Sequence, residues 1–212
     1  MKTYLVEFIG TFFLVMGAAM FGAVGASLAL MVMVYAGGHI SGAHYNPAVT
    51  LAVMIRGKAS MSQAIAYWIA QFAGAIAAAV LVCYVFEKEG AANCVVAADG
   101  TLKAVLAEII GTFALAYVVL NVATTKGTEG NSFYGLAIGG TVLAMALAVG
   151  SFSGGAFNPA VGVGLTIQKT FCWQQIWIYL VGPFGGGILA ALVFNYINKD
   201  DKHAPPIPDA GK

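Results

Sequence analysis

Long apolar runs separated by short polar clusters organise the chain. A spanning helix needs about 20 apolar residues, and six runs answer to that description: 4–23, 25–39, 62–86, 102–123, 133–151 and 174–197. The second is short on its own, and its connection to the first, around Gly22–Gly25, is minimal. The first run follows Lys2, contains Glu7 and lacks a small-residue cleavage pattern, so it is expected to be a retained span and not a signal peptide. Two further apolar runs of about ten residues, 47–56 and 159–168, are too short to cross a bilayer.

Composition sharpens this picture. Sixty per cent of residues are hydrophobic and only 9% are charged. Soluble domains carry roughly a quarter charged residues, so there is too little polar surface to wrap a water-exposed globule. The net charge of +1 gives no basic face for nucleic acid. Charge placement sets an orientation. With the N-terminus inside, Lys2, Arg56, Lys58, Lys126, Lys199, Lys202 and Lys212 fall on the inner side, against Lys88, Lys103 and Lys169 outside. Both termini are therefore expected in the cytoplasm. A single transmembrane domain over 1–198 is expected, followed by a disordered tail, 199–212, containing Pro205, Pro206 and Pro208.

The chain also repeats itself. Glu7-Phe8-Ile9-Gly10-Thr11-Phe12 recurs as Glu108-Ile109-Ile110-Gly111-Thr112-Phe113. The Asn-Pro-Ala-Val at 46–49, with the Gly-rich stretch before it, recurs at 158–161. Three spans per copy, about 1–100 and 101–198, turn the second copy upside down, and inverted repeats place a functional site at the midplane between them. The fold expected is all-α: six transmembrane helices plus two re-entrant half-helices in inverted repeats.

Each Asn-Pro-Ala suits a half-helix start, because proline belongs at the first helical position and asparagine is among the best N-caps. Asn46 and Asn158 then cap their own helices and keep an amide NH₂ directed away from them. The glycine-rich backbone upstream has bare carbonyls, tolerable in a bilayer only beside a water-filled path. Entering from opposite faces, the two half-helices bring positive ends together near the centre. Each contributes about half an elementary charge, a barrier to cations including hydronium. The expected result is a passive pore for uncharged small molecules.

The two Asn-Pro-Ala boxes, each with its upstream Glu-x-x-Gly-Thr, resemble those of the aquaporin and aquaglyceroporin (major intrinsic protein) family over about residues 4–197. His39-Ile40-Ser41-Gly42-Ala43-His44 is similar to that family's first pore loop. The resemblance implies a right-handed bundle assembled as a homotetramer with one pore per subunit, passing water and small neutral solutes, with no cofactor. It implies Asn46 and Asn158 as central donors. Carbonyls of Gly42, Ala43, His44 and Tyr45 are expected to line the inner half, and those of Gly154, Gly155, Ala156 and Phe157 the outer half. His44 resembles the inner-vestibule histidine.

One departure from the family pattern stands out. The arginine that usually lies three residues after the second asparagine is here Val161, and the chain's single arginine, Arg56, sits near the inner surface. In register, the other filter places fall at Ala26, Ala146 and Gly155, and Gly162 stands where glycerol-conducting members often carry an aspartate. Ala, Ala, Gly and Val make a wide, apolar filter. Expected solutes are water, polyols, urea, ammonia, metalloid hydroxides and gases, with a water-selective aquaporin as the alternative.

Several residues admit two readings. Glu7 and Glu108 are intramembrane acids, which suggests either ion coupling or support of each repeat's extended loop; symmetry favours support. His39 is expected to be packed or loop-bracing, and His44 pore-facing. Cys83 and Cys172 are expected in lipid-facing or core packing, with Cys94 in the outer loop 87–101, and neither a disulfide framework nor a metal site. Loop 126–132 reads as a plain connector with gating as the alternative. A secondary transporter and an occluded structural membrane protein remain the other classes; an enzyme is not expected. Short loops point to a prokaryotic inner membrane.

Overall fold

A straight helix of the length of α1 (Lys2–Ser41, 40 residues) would extend about 60 Å, twice the hydrocarbon core of a bilayer. In the computed structural model, which describes residues 1–91, 94, 96, 100–199 and 201, α1 doubles back at Gly22 (φ 60°, ψ −142°). Side chains rarely adopt that conformation, and glycine adopts it freely. Next to the turn the two arms touch backbone to backbone: a Cβ on Gly25 would fall 2.2 Å from the Gly17 carbonyl oxygen. At the far end Ser41 Oγ donates to Glu7 Oε1 at 2.7 Å, closing the antiparallel hairpin. The two spans expected at 4–23 and 25–39 are thus one hairpin turning at a single glycine.

The remaining helices are α2 (Pro47–Ile55), α3 (Met61–Tyr84), α4 (Thr101–Thr124), α5 (Tyr134–Ser153), α6 (Pro159–Ile167) and α7 (Ile178–Ile197). Short 3-10 turns at Lys126–Thr128 and Trp173–Gln175 precede α5 and α7. No strand occurs among the described residues. Five segments are long and apolar enough to cross a membrane, and α1, folded in two, brings the crossings to six. The offset between copies grows from 101 at Glu7/Glu108 to 112 at Asn46/Asn158. Most of the added length is the loop 125–133 of the second copy, which the first copy lacks at Gly22.

The repeats interlock: α2 packs against α7, and α6 against α3. Small residues allow these approaches. A Cβ on Gly74 would meet the Phe8 carbonyl oxygen at 2.4 Å, and one on Gly186 the Ile109 carbonyl oxygen at 2.4 Å. Leu5, Ile69, Leu102 and Leu147 face outward, as lipid-facing positions require. The ionic groups divide between two ends. Lys169 pairs with Glu89 at 2.6 Å at one end, and Arg56 pairs with Asp201 at 3.2 Å at the other. Asp201 is therefore tied to α2; of the tail expected to be disordered, residues 200 and 202–212 lie outside the described residues.

The cysteines correct the sequence reading. Cys94 and Cys172 form a disulfide, joining the segment after α3 to the segment after α6. Their sequence separation of 78 leaves no local signature, because the pairing follows from the interlocked repeats. Cys83 is free and buried, its Sγ 3.9 Å from the Ile167 carbonyl oxygen.

Candidate functional site

The half-helices begin as their sequences dictate. Asn46, with extended backbone (φ −155°, ψ 119°), caps α2 through Oδ1, which accepts from Ala48 N at 2.8 Å and Val49 N at 3.4 Å. Asn158 (φ −161°, ψ 118°) caps α6 in the same way, from Ala160 N at 2.9 Å and Val161 N at 3.5 Å. Proline follows at the first helical position in both. The free ends of the two amides then cross: Asn46 Nδ2 donates to the Phe157 carbonyl at 2.9 Å, and Asn158 Nδ2 to the Tyr45 carbonyl at 2.9 Å. These reciprocal bonds hold the positive ends of α2 and α6 together and leave one amide hydrogen on each asparagine.

The crossing also revises Tyr45 and Phe157. Both carbonyls, expected to be bare, accept from the opposite asparagine. Both side chains are buried behind the loops, with Tyr45 against Gly10 and Gly37 and Phe157 against Gly111. They anchor the loops; Ala43, His44, Gly154, Gly155 and Ala156 form the wall of one cavity, and Gly42 lines a second.

The upstream loops carry left-handed backbone at Gly42, Ala43 and Tyr45, and again at Gly154, Gly155 and Phe157. For the non-glycine positions such backbone costs of order 1–3 kcal/mol each and persists only when its surroundings over-determine it. Glu7 and Glu108 do so. Glu7 accepts from Ser41 Oγ (2.7 Å), His44 N (2.9 Å), Tyr45 N (2.7 Å) and Gln71 Nε2 (2.8 Å). Glu108 accepts from Ser153 Oγ (2.7 Å), Ala156 N (2.9 Å) and Phe157 N (2.6 Å). Tyr67 and Tyr179 complete each brace, their hydroxyls donating to the Ser41 and Ser153 carbonyls at 2.7 Å. Both carboxylates are fully buried with their acceptor sites turned to the loops.

The copies differ in one respect. In the inner half, Gln71 Nε2 also donates to Thr50 Oγ1 at 3.0 Å, and Thr50 Oγ1 lies 3.1 Å from His44 Nδ1. At the 112-residue offset the partners of His44, Thr50 and Gln71 are Ala156, Gly162 and Pro183, so this polar chain exists on the inner side alone.

Two cavities follow the loops. One, of about 160 Å³, runs past Asn46 and Asn158 to Gly22, Thr170 and Phe171. All four positions counted as filter places, Ala26, Ala146, Gly155 and Val161, stand on its wall. The other, of about 610 Å³, opens among Thr3, Lys58, Gln63, Lys126 and Asn131. His44, Val119 and Ile138 belong to both walls. A cavity that combines two half-helix ends with a mostly apolar lining suits neutral hydrogen-bonding solutes. Residues 17–194 match the family model of the major intrinsic proteins.

The chain belongs to the major intrinsic protein family.

It is 42% identical over 175 residues to probable aquaporin TIP2-2 of Arabidopsis thaliana, spanning 81% of this chain and 69% of the relative. It is 34% identical over 212 residues to aquaporin NIP1-4 of Oryza sativa subsp. japonica, covering 93% and 77%. The fold matches that of the aquaglyceroporin from Plasmodium falciparum with a TM-score of 0.75, covering 96% of this chain and 99% of that one at 20% identity. The family is one of membrane channels for water and small solutes, and this chain is a membrane protein. The two sequence relatives are plant proteins and lend no support to a prokaryotic membrane.

Within this family member, Arg56 lines neither cavity. It donates to the Asp201 carbonyl at 2.8 Å and its guanidinium lies 5.1 Å from the centre of the Phe194 ring. His39, expected to be packed or loop-bracing, is exposed on the wall of the larger cavity. In loop 126–132, Thr125, Thr128 and Asn131 bond to one another and to the end of α4. Sequence reasoning passed over Thr50, Gln71 and Phe171. The pair Ser41/Ser153 and the pair Tyr67/Tyr179 keep the 112-residue offset, a signal that would have found both braces.

Proposed function

We propose that this protein is a passive channel for water and small uncharged solutes, including polyols and urea, and that it works as a homotetramer with one pore per subunit. The observation that carries the reading is the meeting of two helix N-termini at the Asn46–Phe157 and Asn158–Tyr45 hydrogen bonds, on the wall of a mostly apolar cavity. Two half-charges acting together on a monovalent cation at about 4 Å raise its energy by about 4 kcal/mol at an effective dielectric of about 20, a factor of roughly a thousand. A neutral solute meets no such barrier and gains the remaining amide hydrogens of Asn46 and Asn158.

Ala26, Ala146, Gly155 and Val161 act as the selectivity filter in this reading. None has a side chain long enough to replace the hydration shell of a solute, so selection there rests on size. Glu7 and Glu108 support the loops; their oxygens are occupied by loop and side-chain donors, which speaks against ion coupling. The Cys94–Cys172 disulfide fits an oxidising, non-cytoplasmic side and agrees with cytoplasmic termini. Swelling of proteoliposomes in water, glycerol and urea gradients tests the proposal. Passage of glycerol or urea alongside water supports the wide filter, and passage of water alone refutes it.

A further inference from the structure

The four filter places are small, yet the outer end of the cavity carries one large ring that the register does not assign to a filter. Phe171, 13 residues beyond Asn158, lines that cavity with Gly22, Ala23 and Ala26. Besides the His44 imidazole it is the one aromatic side chain on that wall among the described residues. Its position is fixed from two sides. Its ring stacks on Tyr179 with centroids 4.1 Å apart and planes 9° from parallel, and Tyr179 is itself held to the Ser153 carbonyl. The next residue, Cys172, is bonded covalently to Cys94.

That disulfide belongs to a collar. Gly90 N donates to the Gln168 carbonyl at 2.7 Å, Gln168 Nε2 to the Lys88 carbonyl at 3.0 Å, and Gln175 Nε2 to the Val96 carbonyl at 2.6 Å. Lys88 Nζ reaches the Met20 carbonyl at the turn of α1. Thr170 and Phe171, just before Cys172, stand on the cavity wall beside Gly22, and the disulfide and these hydrogen bonds tie their loop to the segment after α3.

Resting on the channel reading above, we propose that Phe171 is a specificity-determining residue, setting the size limit at the outer mouth, and that the Cys94–Cys172 disulfide is its positioning element. Reduction takes two electrons and two protons from an added dithiol, which is oxidised to its own disulfide, and leaves Cys94 and Cys172 as thiols. The loop that carries Phe171 then loses its covalent tie, and the limit loosens.

The test uses the full chain in proteoliposomes, with water, urea and glycerol permeabilities measured by stopped-flow light scattering. Phe171→Ala is expected to raise the glycerol-to-water ratio about tenfold, the scale on which apolar pockets discriminate size, and Phe171→Trp to lower it. Adding a dithiol to the unaltered chain is expected to shift the ratio in the same direction as Phe171→Ala, by less, and to leave a Cys94→Ser/Cys172→Ser double variant unchanged. Water flux with an unaltered ratio in Phe171→Ala and Phe171→Trp overturns the role of Phe171. A dithiol effect that persists in the double variant, or no effect on the unaltered chain, overturns the role of the disulfide. Should the unaltered chain pass neither water nor glycerol, the channel reading itself fails and this proposal with it.

Discussion

Replacing Glu108 by glutamine tests the loop brace at a single atom. Glu108 Oε1 accepts from Ser153 Oγ and Ala156 N, and Oε2 accepts from Phe157 N at 2.6 Å. In Glu108→Gln, the amide oxygen can keep the first two donors, but the NH₂ group then faces the Phe157 N–H, donor against donor. The opposite amide orientation is worse, since it sets the NH₂ against two donors. One charge-assisted hydrogen bond is lost, about 1.5–3 kcal/mol, and one buried N–H is left without an acceptor, about 1–3 kcal/mol. A destabilisation of about 2.5–6 kcal/mol follows, corresponding to a fall of roughly 5–24 °C in the unfolding midpoint for a chain of this size. Because Phe157 also holds Asn46 through its carbonyl, the loss should reach the pore as reduced water permeability. Thermal unfolding in detergent, paired with stopped-flow water flux, reads both. An unchanged midpoint with normal flux would refute the bracing role, and an unchanged midpoint with altered ion coupling would favour a proton-relay role instead.

Three other outcomes follow from the same geometry. Val161→Arg places a long cationic side chain on a cavity of about 160 Å³, so proteoliposome swelling should show glycerol flux falling about tenfold relative to water. Asn46→Asp keeps an oxygen cap for α2 but sets a full negative charge between two half-positive helix ends, removing the barrier of about 4 kcal/mol to cations; a potassium or proton leak across vesicles, absent in the unaltered protein, is the expected reading. Gly10→Ala drives a Cβ to 2.1 Å from the Tyr45 ring and should cost about 1–3 kcal/mol by overpacking. Combining it with Tyr45→Ala should cost less than the two changes added, as measured by unfolding midpoints.

The fold was legible because its main determinants are local or periodic. Apolar runs of spanning length, two Pro-initiated short helices capped by Asn46 and Asn158, and the paired Glu-x-x-Gly-Thr segments lie open in the sequence. The turn at Gly22 was readable as a minimal connection, although only the structure shows that the backbone bends at one residue, with Gly17 and Gly25 in contact beside it. What escaped were relations between distant segments. Nothing local distinguishes Cys172 from a lipid-facing cysteine, since its partner Cys94 lies 78 residues away across an interlocked repeat. Gln71 and Thr50 look like ordinary polar residues in apolar helices until Glu7 and His44 are seen beside them. The carbonyls of Tyr45 and Phe157 were expected to be bare because one copy read alone does not reveal that the other copy's asparagine arrives to bond them.

The central claim is that opposed half-helix ends exclude cations while neutral molecules pass. It is tested most directly by measuring neutral-solute flux and ionic conductance on the same proteoliposomes, under an osmotic gradient and an imposed potassium potential. The account predicts water and glycerol permeability that rises linearly with the gradient and does not saturate, with ionic conductance no higher than that of empty vesicles. Conductance above that baseline, or saturable uptake in place of linear flux, would contradict it.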